Sequence, residues 1–242
     1  MKTLVAALLL APALALASSA GLKLDRAPVN LSDLPSLQRG AQVFVNYCLN
    51  CHSASYMRYN RLHDLGLNDQ QIRDNLMFAA EKVGETMTVA MRSKDAAQWF
   101  GAPPPDLTVI ARSRSADWLY TYLRSFYRDG SRQTGWNNLA YPSVAMPHVL
   151  FELQGIQALK VEEATDAHGH KTHTSRLVLD TPGSMTSVQY NQLVGDLVNY
   201  LTYMGEPAAM SRVQVGIGVL LFLSVFIVVS WLLKRAYWRD VH

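Results

Sequence analysis

The sequence predicts a mainly α fold with one small β-hairpin and a single transmembrane helix near the C-terminal end. Three observations predict it. Apolar residues recur at helical spacing in several separate stretches, with no alternating βα rhythm and no internal repeat. Val213 to Leu233 is a run of 21 residues without a charge. Both cysteines of the chain fall in one short motif, Cys48-Leu49-Asn50-Cys51-His52.

Taken in order, the N-terminus comes first. Lys2 precedes an apolar run from Leu4 to Leu16, and small residues follow at Ala15-Leu16-Ala17 and Ser18-Ser19-Ala20. A short basic start, an apolar stretch and a small-residue site make a secretory signal over 1–20, cleaved after Ala17 or Ala20. The stretch is short for a membrane span. Residues 21 to 34 are interrupted by proline and are expected to be extended. Ser36 to Tyr47 is expected to be a helix, with Val43 and Tyr47 one turn apart, and it delivers the chain into the cysteine motif.

C-x-x-C-H is the attachment pattern of a c-type haem. Two thiols three positions apart sit about one helical turn apart, so each can add to one vinyl group. The next side chain, His52, can then ligate the iron. A redox Cys-x-x-Cys or half a zinc site has the same cysteine spacing. Zinc would need two further ligands, however, and the chain has only two cysteines, both already in this motif. A thioredoxin-like site would need a βαβ context that the flanking residues do not supply. Haem c is attached outside the cytoplasm, which agrees with the export signal.

Asn68 with Gln71 resembles a capping box and predicts a helix to about Val83, with Ile72, Leu76 and Ala80 on one face. Asp106, after Pro103-Pro104-Pro105, is expected to cap a short helix from Leu107. Ser115 is expected to cap another, with Leu119, Tyr122 and Phe126 in its stripe, stopping near Gly130. Residues 129 to 148 are rich in Gly, Asn, Pro and Ser and predict a loop. Val161 to Leu179 predicts two short strands around a polar tip from Asp166 to Thr174. Thr186 to Tyr203 predicts an amphipathic helix with Tyr190, Val194, Leu197 and Leu201 inside, ended by Gly205-Glu206-Pro207.

The uncharged run then spans about 31 Å as a helix, one bilayer core. Arg212 precedes it, Lys234-Arg235 and Arg239 follow, and Trp231, Tyr237 and Trp238 suit the interface. The basic side is cytoplasmic by the positive-inside rule, so the middle of the chain faces the opposite compartment. The expected organisation is signal 1–20, exported domain 21–212, anchor 213–233 and cytoplasmic tail 234–242. Of 22 basic residues, Lys2, Lys234, Arg235 and Arg239 lie in the ends; of 19 acidic residues, only Asp240 does; 18 of each remain. A neutral domain argues against a nucleic-acid role.

An iron on His52 needs a second axial group or an open position, and that choice separates electron transfer from gas or peroxide chemistry. Met77 lies within a predicted helix, Met204 and Met210 lie at the membrane end, and Met57 is too near the motif. Met146 sits in a proline-stiffened loop between Tyr141-Pro142 and Pro147 and is the favoured sixth ligand. His148 and an open position stay as alternatives. Arg112 and Arg114 are candidate partners of the haem propionates, since a guanidinium matches a carboxylate in fixed geometry. His168, His170 and His173 read as an exposed polar tip beside Glu162, Glu163 and Asp166.

Several stretches resemble cytochrome c1. They are Arg39-Gly40-Ala41-Gln42-Val43-Phe44 leading into Cys48–His52 and on to Tyr59, Gly101-Ala102-Pro103-Pro104-Pro105-Asp106-Leu107 with Arg112-Ser113-Arg114, and Ala145-Met146-Pro147. Thr181-Pro182-Gly183-Ser184-Met185-Thr186 through Glu206-Pro207 and the anchor complete the match. The Pro-Pro-Asp-Leu stretch with the single C-terminal anchor is more specific than C-x-x-C-H. The resemblance implies a c-type cytochrome domain with insertions, of bacterial type, acting as the haem c subunit of ubiquinol–cytochrome c oxidoreductase. It assigns the sixth ligand to Met146, a propionate to Arg112, and Pro104 to the haem site with them. The implied partners are a cytochrome b subunit, a Rieske iron–sulfur protein that supplies electrons and a cytochrome c that accepts them, in a dimeric complex of the bacterial inner membrane with the haem in the periplasm. No acid–base pair or nucleophile is required of the chain itself. A tethered monohaem shuttle outside such a complex is the alternative. It would want a long linker, whereas only Gly205 to Arg212 lies between the last helix and the anchor.

Overall fold

The computed structural model describes residues 22–165 and 171–240. The described residues are mainly helical, with three antiparallel pairs of strands among them. The expected signal lies outside the described residues, as do Asp166, His168 and His170 at the hairpin tip.

Helix α1 spans Leu34–Val43 and starts two residues earlier than expected, because the Asp33 carboxylate accepts from Ser36 N at 3.1 Å and Pro35 sits in the first turn. The helix then widens into a π-turn, Phe44–Cys48, where Leu49 N donates to Phe44 O at 2.9 Å. Such a π-turn is a local irregularity found mostly at functional sites, and here it leads straight into the cysteine motif. Strand β1, Ala54–Arg58, pairs antiparallel with β2, Thr86–Met87. A 3₁₀ segment, Tyr59–Leu65, and helix α2, Asp69–Leu76, lie between them.

The Asn68–Gln71 capping box forms as expected. The helix it starts does not reach Val83. It stops at Leu76, because the backbone beyond is held by other partners: Asn60 N donates to Val83 O at 2.7 Å and Tyr59 N to Glu85 O at 3.1 Å. That pairing also carries Met87 into the core. Helix α3, Ser93–Phe100, is an additional helix that no sequence motif announces.

Helix α4 spans Ile110–Arg114, not from Leu107. Leu107 N donates to Ser53 O at 2.9 Å. Asp106 caps no helix; its carboxylate accepts from Thr108 N and Ser55 N, both at 2.8 Å, tying this loop to β1. Helix α5, Ala116–Arg124, is capped by Ser115 as expected, with Trp118 N at 3.2 Å from Oγ. It ends well before Gly130. Phe126 belongs to β3, Phe126–Arg128, which pairs with β4, Trp136–Asn138, inside the stretch expected to be loop.

After the short α6, Phe151–Gln154, the hairpin is longer than expected: β5, Gly155–Thr165, pairs with β6, Lys171–Pro182. Helix α7, Ser187–Gly205, starts from a Thr186–Gln189 capping box and buries Tyr190, Val194, Leu197 and Leu201, the expected stripe. It is the spine of the domain, against which α1, α4 and α5 pack. At the α1 contact the buried Asp196 carboxylate accepts from Ser36 Oγ at 2.7 Å and pairs with Arg39 Nε at 2.6 Å. A buried charge is tolerated only with such partners. Helix α8, Ala209–Tyr237, contains the whole apolar run and is exposed along its length. It is long and apolar enough to cross a membrane.

Candidate functional site

The cysteine motif opens onto a cavity of about 700 Å³, within the range of roughly 300–1,000 Å³ of cofactor sites. Cys48, Cys51, His52, Pro104, Arg114 and Met146 all line it. The rest of the wall is mostly apolar, with Leu107 and Ile110 before and in α4, Trp118, Leu119 and Leu123 from α5, and Leu197 and Leu201 from α7. Residues far apart in the sequence converge because α7 backs both α1 and α5.

His52 is buried, and its Nδ1 lies 2.8 Å from the Pro105 carbonyl. A carbonyl only accepts, so Nδ1 carries the proton and Nε2 keeps its lone pair. A metal-ligating histidine is oriented by this kind of bond from its other nitrogen. Burial holds the ring below its ordinary pKa, against the Pro105 bond and the Asp106 charge, so it stays neutral. The proline stretch therefore does more than line the wall, since Pro105 sets the tautomer.

Burial, with the neighbouring Cys51, pushes the Cys48 thiol up to about 12, and burial also raises Cys51. Reactive Cys-x-x-Cys pairs have lowered values, so this pair is poorly suited to thiol–disulfide exchange. Two thiols, an oriented imidazole, a thioether and an apolar enclosure fit a c-type haem.

Met146 is half-buried, and its Sδ accepts from Tyr122 Oη at 3.3 Å. Its loop is braced from behind. Asn138 Oδ1 accepts from Ala140 N at 2.9 Å and Tyr141 N at 3.1 Å, and Asn137 Oδ1 accepts from Ser143 N at 2.8 Å. Ser143 takes φ +65°, a left-handed conformation uncommon for serine. His148, two residues on, does not line the cavity. Its ring stacks on Phe126 at 4.8 Å and meets the edge of Trp136 at 5.2 Å, and burial lowers its pKa to about 4. It is a core histidine.

The two arginines part company. Arg114 lines the cavity, with its guanidinium 5.2 Å from the Trp118 ring centroid and 5.8 Å from that of Tyr141. Arg112 does not line it; its Nη1 points to Glu206 Oε2 at 4.0 Å, and Glu206 also pairs with Arg212 at the start of the apolar helix. No sequence motif singles out Tyr122, Asn137 or Asn138. Tyr122 stood in an apolar stripe, and the Asn137-Asn138 pair was the only hint that the loop is internally bonded. His173 lies in β6, and its side chain is outside what the structure describes.

The model of the Cytochrome C1 family matches residues 26–168 and 181–241, most of the chain. A cytochrome c1 of Allochromatium vinosum is 47% identical over 245 residues, covering 100% of both chains. A Nitrosomonas europaea protein named ammonia monooxygenase gamma subunit is 51% identical over 242 residues, covering 100% of this chain and 99% of its own. A cytochrome c1 of Rhodospirillum rubrum is 29% identical over 242 residues, covering 86% of this chain and 83% of its own.

Proposed function

The chain belongs to the cytochrome c1 family, and we propose that its cavity holds one haem c, joined by thioethers to Cys48 and Cys51 and ligated by His52 and Met146. As a cytochrome c1 it is the electron-transfer haem subunit of ubiquinol–cytochrome c reductase. Bound in the cavity, the haem supplies a one-electron couple. The observation that carries the assignment is the convergence of Cys48, Cys51, His52 and Met146 on one cavity, with His52 oriented by Pro105.

The protein's own residues have defined tasks in this reading. His52 is held neutral, with Nε2 free for the iron. Met146 offers a soft thioether, which favours the ferrous state over a second imidazole and raises the potential. The apolar wall from α5 and α7 excludes water and acts in the same direction, since it disfavours the more charged ferric site. Arg114, fixed over Trp118 and Tyr141, is the propionate partner we favour. Arg112 tethers α4 toward Glu206 and Arg212, at the junction of domain and membrane helix.

Membership of the family implies a cytochrome b subunit and a Rieske protein as partners. We further propose a cytochrome c acceptor and a dimeric complex. In this reading the domain of 21–212 lies in the periplasm, the anchor of 213–233 in the bacterial inner membrane, and residues 234–242 in the cytoplasm. The short passage from α7 to α8, Glu206 to Ala208, keeps the site close to the bilayer, which suits a fixed subunit better than a roaming shuttle.

Gentle detergent purification through a tag on the C-terminus tests this. A b-type haem subunit and an iron–sulfur subunit are expected to copurify, with quinol-dependent reduction of an added cytochrome c. Recovery of the chain alone would favour the tethered shuttle. Recovery with the subunits of an ammonia-oxidising enzyme would move the assignment toward the Nitrosomonas name.

A further inference from the structure

Tyr122 is a tyrosine where a phenylalanine would pack equally well. Its ring stacks on Trp118 at 4.8 Å with 11° between planes and meets Phe126 edge-on at 5.0 Å. The residue is 9% exposed. Burying a hydroxyl costs free energy unless it finds a partner. Among the described residues its only hydrogen-bond partner is Met146 Sδ, at 3.3 Å. Its backbone is equally constrained, since the Tyr122 carbonyl accepts from Asn138 Nδ2 at 2.8 Å and Ser125 Oγ at 3.2 Å. Asn138 is the same residue that braces the Met146 loop. One buried asparagine thus fixes both the donor and the loop that presents its acceptor.

We infer that Tyr122 is a positioning residue for the electron-transfer site, holding the Met146 thioether in place and polarising it through the Oη–Sδ hydrogen bond. The inference rests on the reading that Met146 ligates iron. A thioether sulfur has two lone pairs, so it can serve a metal and a hydroxyl together. Methionine has three rotatable bonds and adapts easily, and a fixed donor removes part of that freedom. The donated proton also draws electron density from sulfur and makes it a weaker donor. Ferric iron loses more from a weaker donor than ferrous iron, so the bond raises the potential.

The test is Tyr122→Phe in the full chain within its membrane complex, carrying haem, and the same change in a Met146→His background. Phenylalanine keeps the stacking and removes only the hydroxyl. A net hydrogen bond corresponds to roughly a threefold to tenfold change in an equilibrium. Tyr122→Phe is therefore expected to lower the equilibrium constant for reduction by about that factor, with the sulfur-to-iron charge-transfer absorption retained. In the Met146→His background the effect should vanish, as a double-mutant cycle requires of two groups acting together. An unchanged reduction equilibrium, or an equal fall in both backgrounds, would overturn the inference. So would a Tyr122→Phe chain that no longer takes up haem, because the hydroxyl would then be serving the fold. A native protein lacking the sulfur-to-iron absorption would remove the Met146 ligation first, and the inference with it, a result distinct from those of the variants.

Discussion

Met146→Leu is expected to lower the reduction potential by about 120 mV or more, corresponding to roughly two decades in the one-electron equilibrium. The variant should also gain rapid carbon monoxide binding in the reduced state. Axial ligand identity sets haem potentials over a range of about 0.8 V, so a shift of this size is a modest share of the available range. The direction follows from ligand chemistry. Removing a soft thioether leaves a position that water or hydroxide fills, and these hard oxygen ligands favour the ferric state. Leucine matches the volume of methionine closely, and such swaps cost little in packing, so the domain should remain folded. Its loop keeps the Asn137 and Asn138 bonds, and His148 remains stacked on Phe126 and cannot step in without unpacking the core. An equilibrium redox titration with a reduced-plus-carbon-monoxide spectrum reads both effects. An unchanged potential with no carbon monoxide binding would take the sixth-ligand assignment away from Met146.

Gly40→Ala should destabilise the domain by about 3 kcal/mol or more, the upper end for overpacking a tight contact. At a free position in mid-helix the same change is favourable by about 1 kcal/mol, because alanine is the better helix former. The sign reverses here because α1 and α7 touch at this glycine. A Cβ on Gly40 would lie 2.1 Å from the Asp196 carbonyl oxygen and 2.7 Å from Tyr200 Cβ. A backbone oxygen cannot swing aside as a side chain can, so the helices must separate. Separation would pull Leu37, Ala41 and Phe44 from the core and stretch the Arg39 and Ser36 bonds to Asp196. For a domain of this size, 3 kcal/mol corresponds to about 6–12 °C in the melting midpoint. The π-turn that leads into Cys48 follows four residues later, so haem uptake should fall with stability. A midpoint equal to or above the native one would show that the α1–α7 contact is looser than described.

What could be read from the sequence was local. The Asn68–Gln71 box and the Ser115 cap involve residues three apart, and both form. The α7 stripe repeats over enough turns to fix its buried face, and C-x-x-C-H contains its own chemistry. What could not be read depended on distant partners. The end of α2 at Leu76 is decided by bonds from Tyr59 and Asn60 to Glu85 and Val83. Asp106 looked like a helix cap because its best partner, Ser55 N, is far away in sequence. Phe126 continued the α5 stripe by spacing, yet pairs in a strand with Asn138. Spacing gave no way to choose between Arg112 and Arg114. Only the structure shows which one reaches the cavity and which one turns to Glu206.

The same limit hid Tyr122 and Pro105. A tyrosine at helical spacing among Leu119 and Leu123 is indistinguishable from core filling, and no sequence pattern announces that one carbonyl will set a histidine tautomer. Both act through a single atom placed by tertiary structure. The fold class was therefore easier to read than the connections that tune the site.

The most direct measurement is the intact mass of the mature chain after denaturation and extraction with acidified organic solvent. The account predicts a polypeptide heavier by one haem, with no thiol left to alkylate at Cys48 or Cys51. A chain at its bare polypeptide mass, with two alkylatable thiols and the pigment in the solvent, would contradict it.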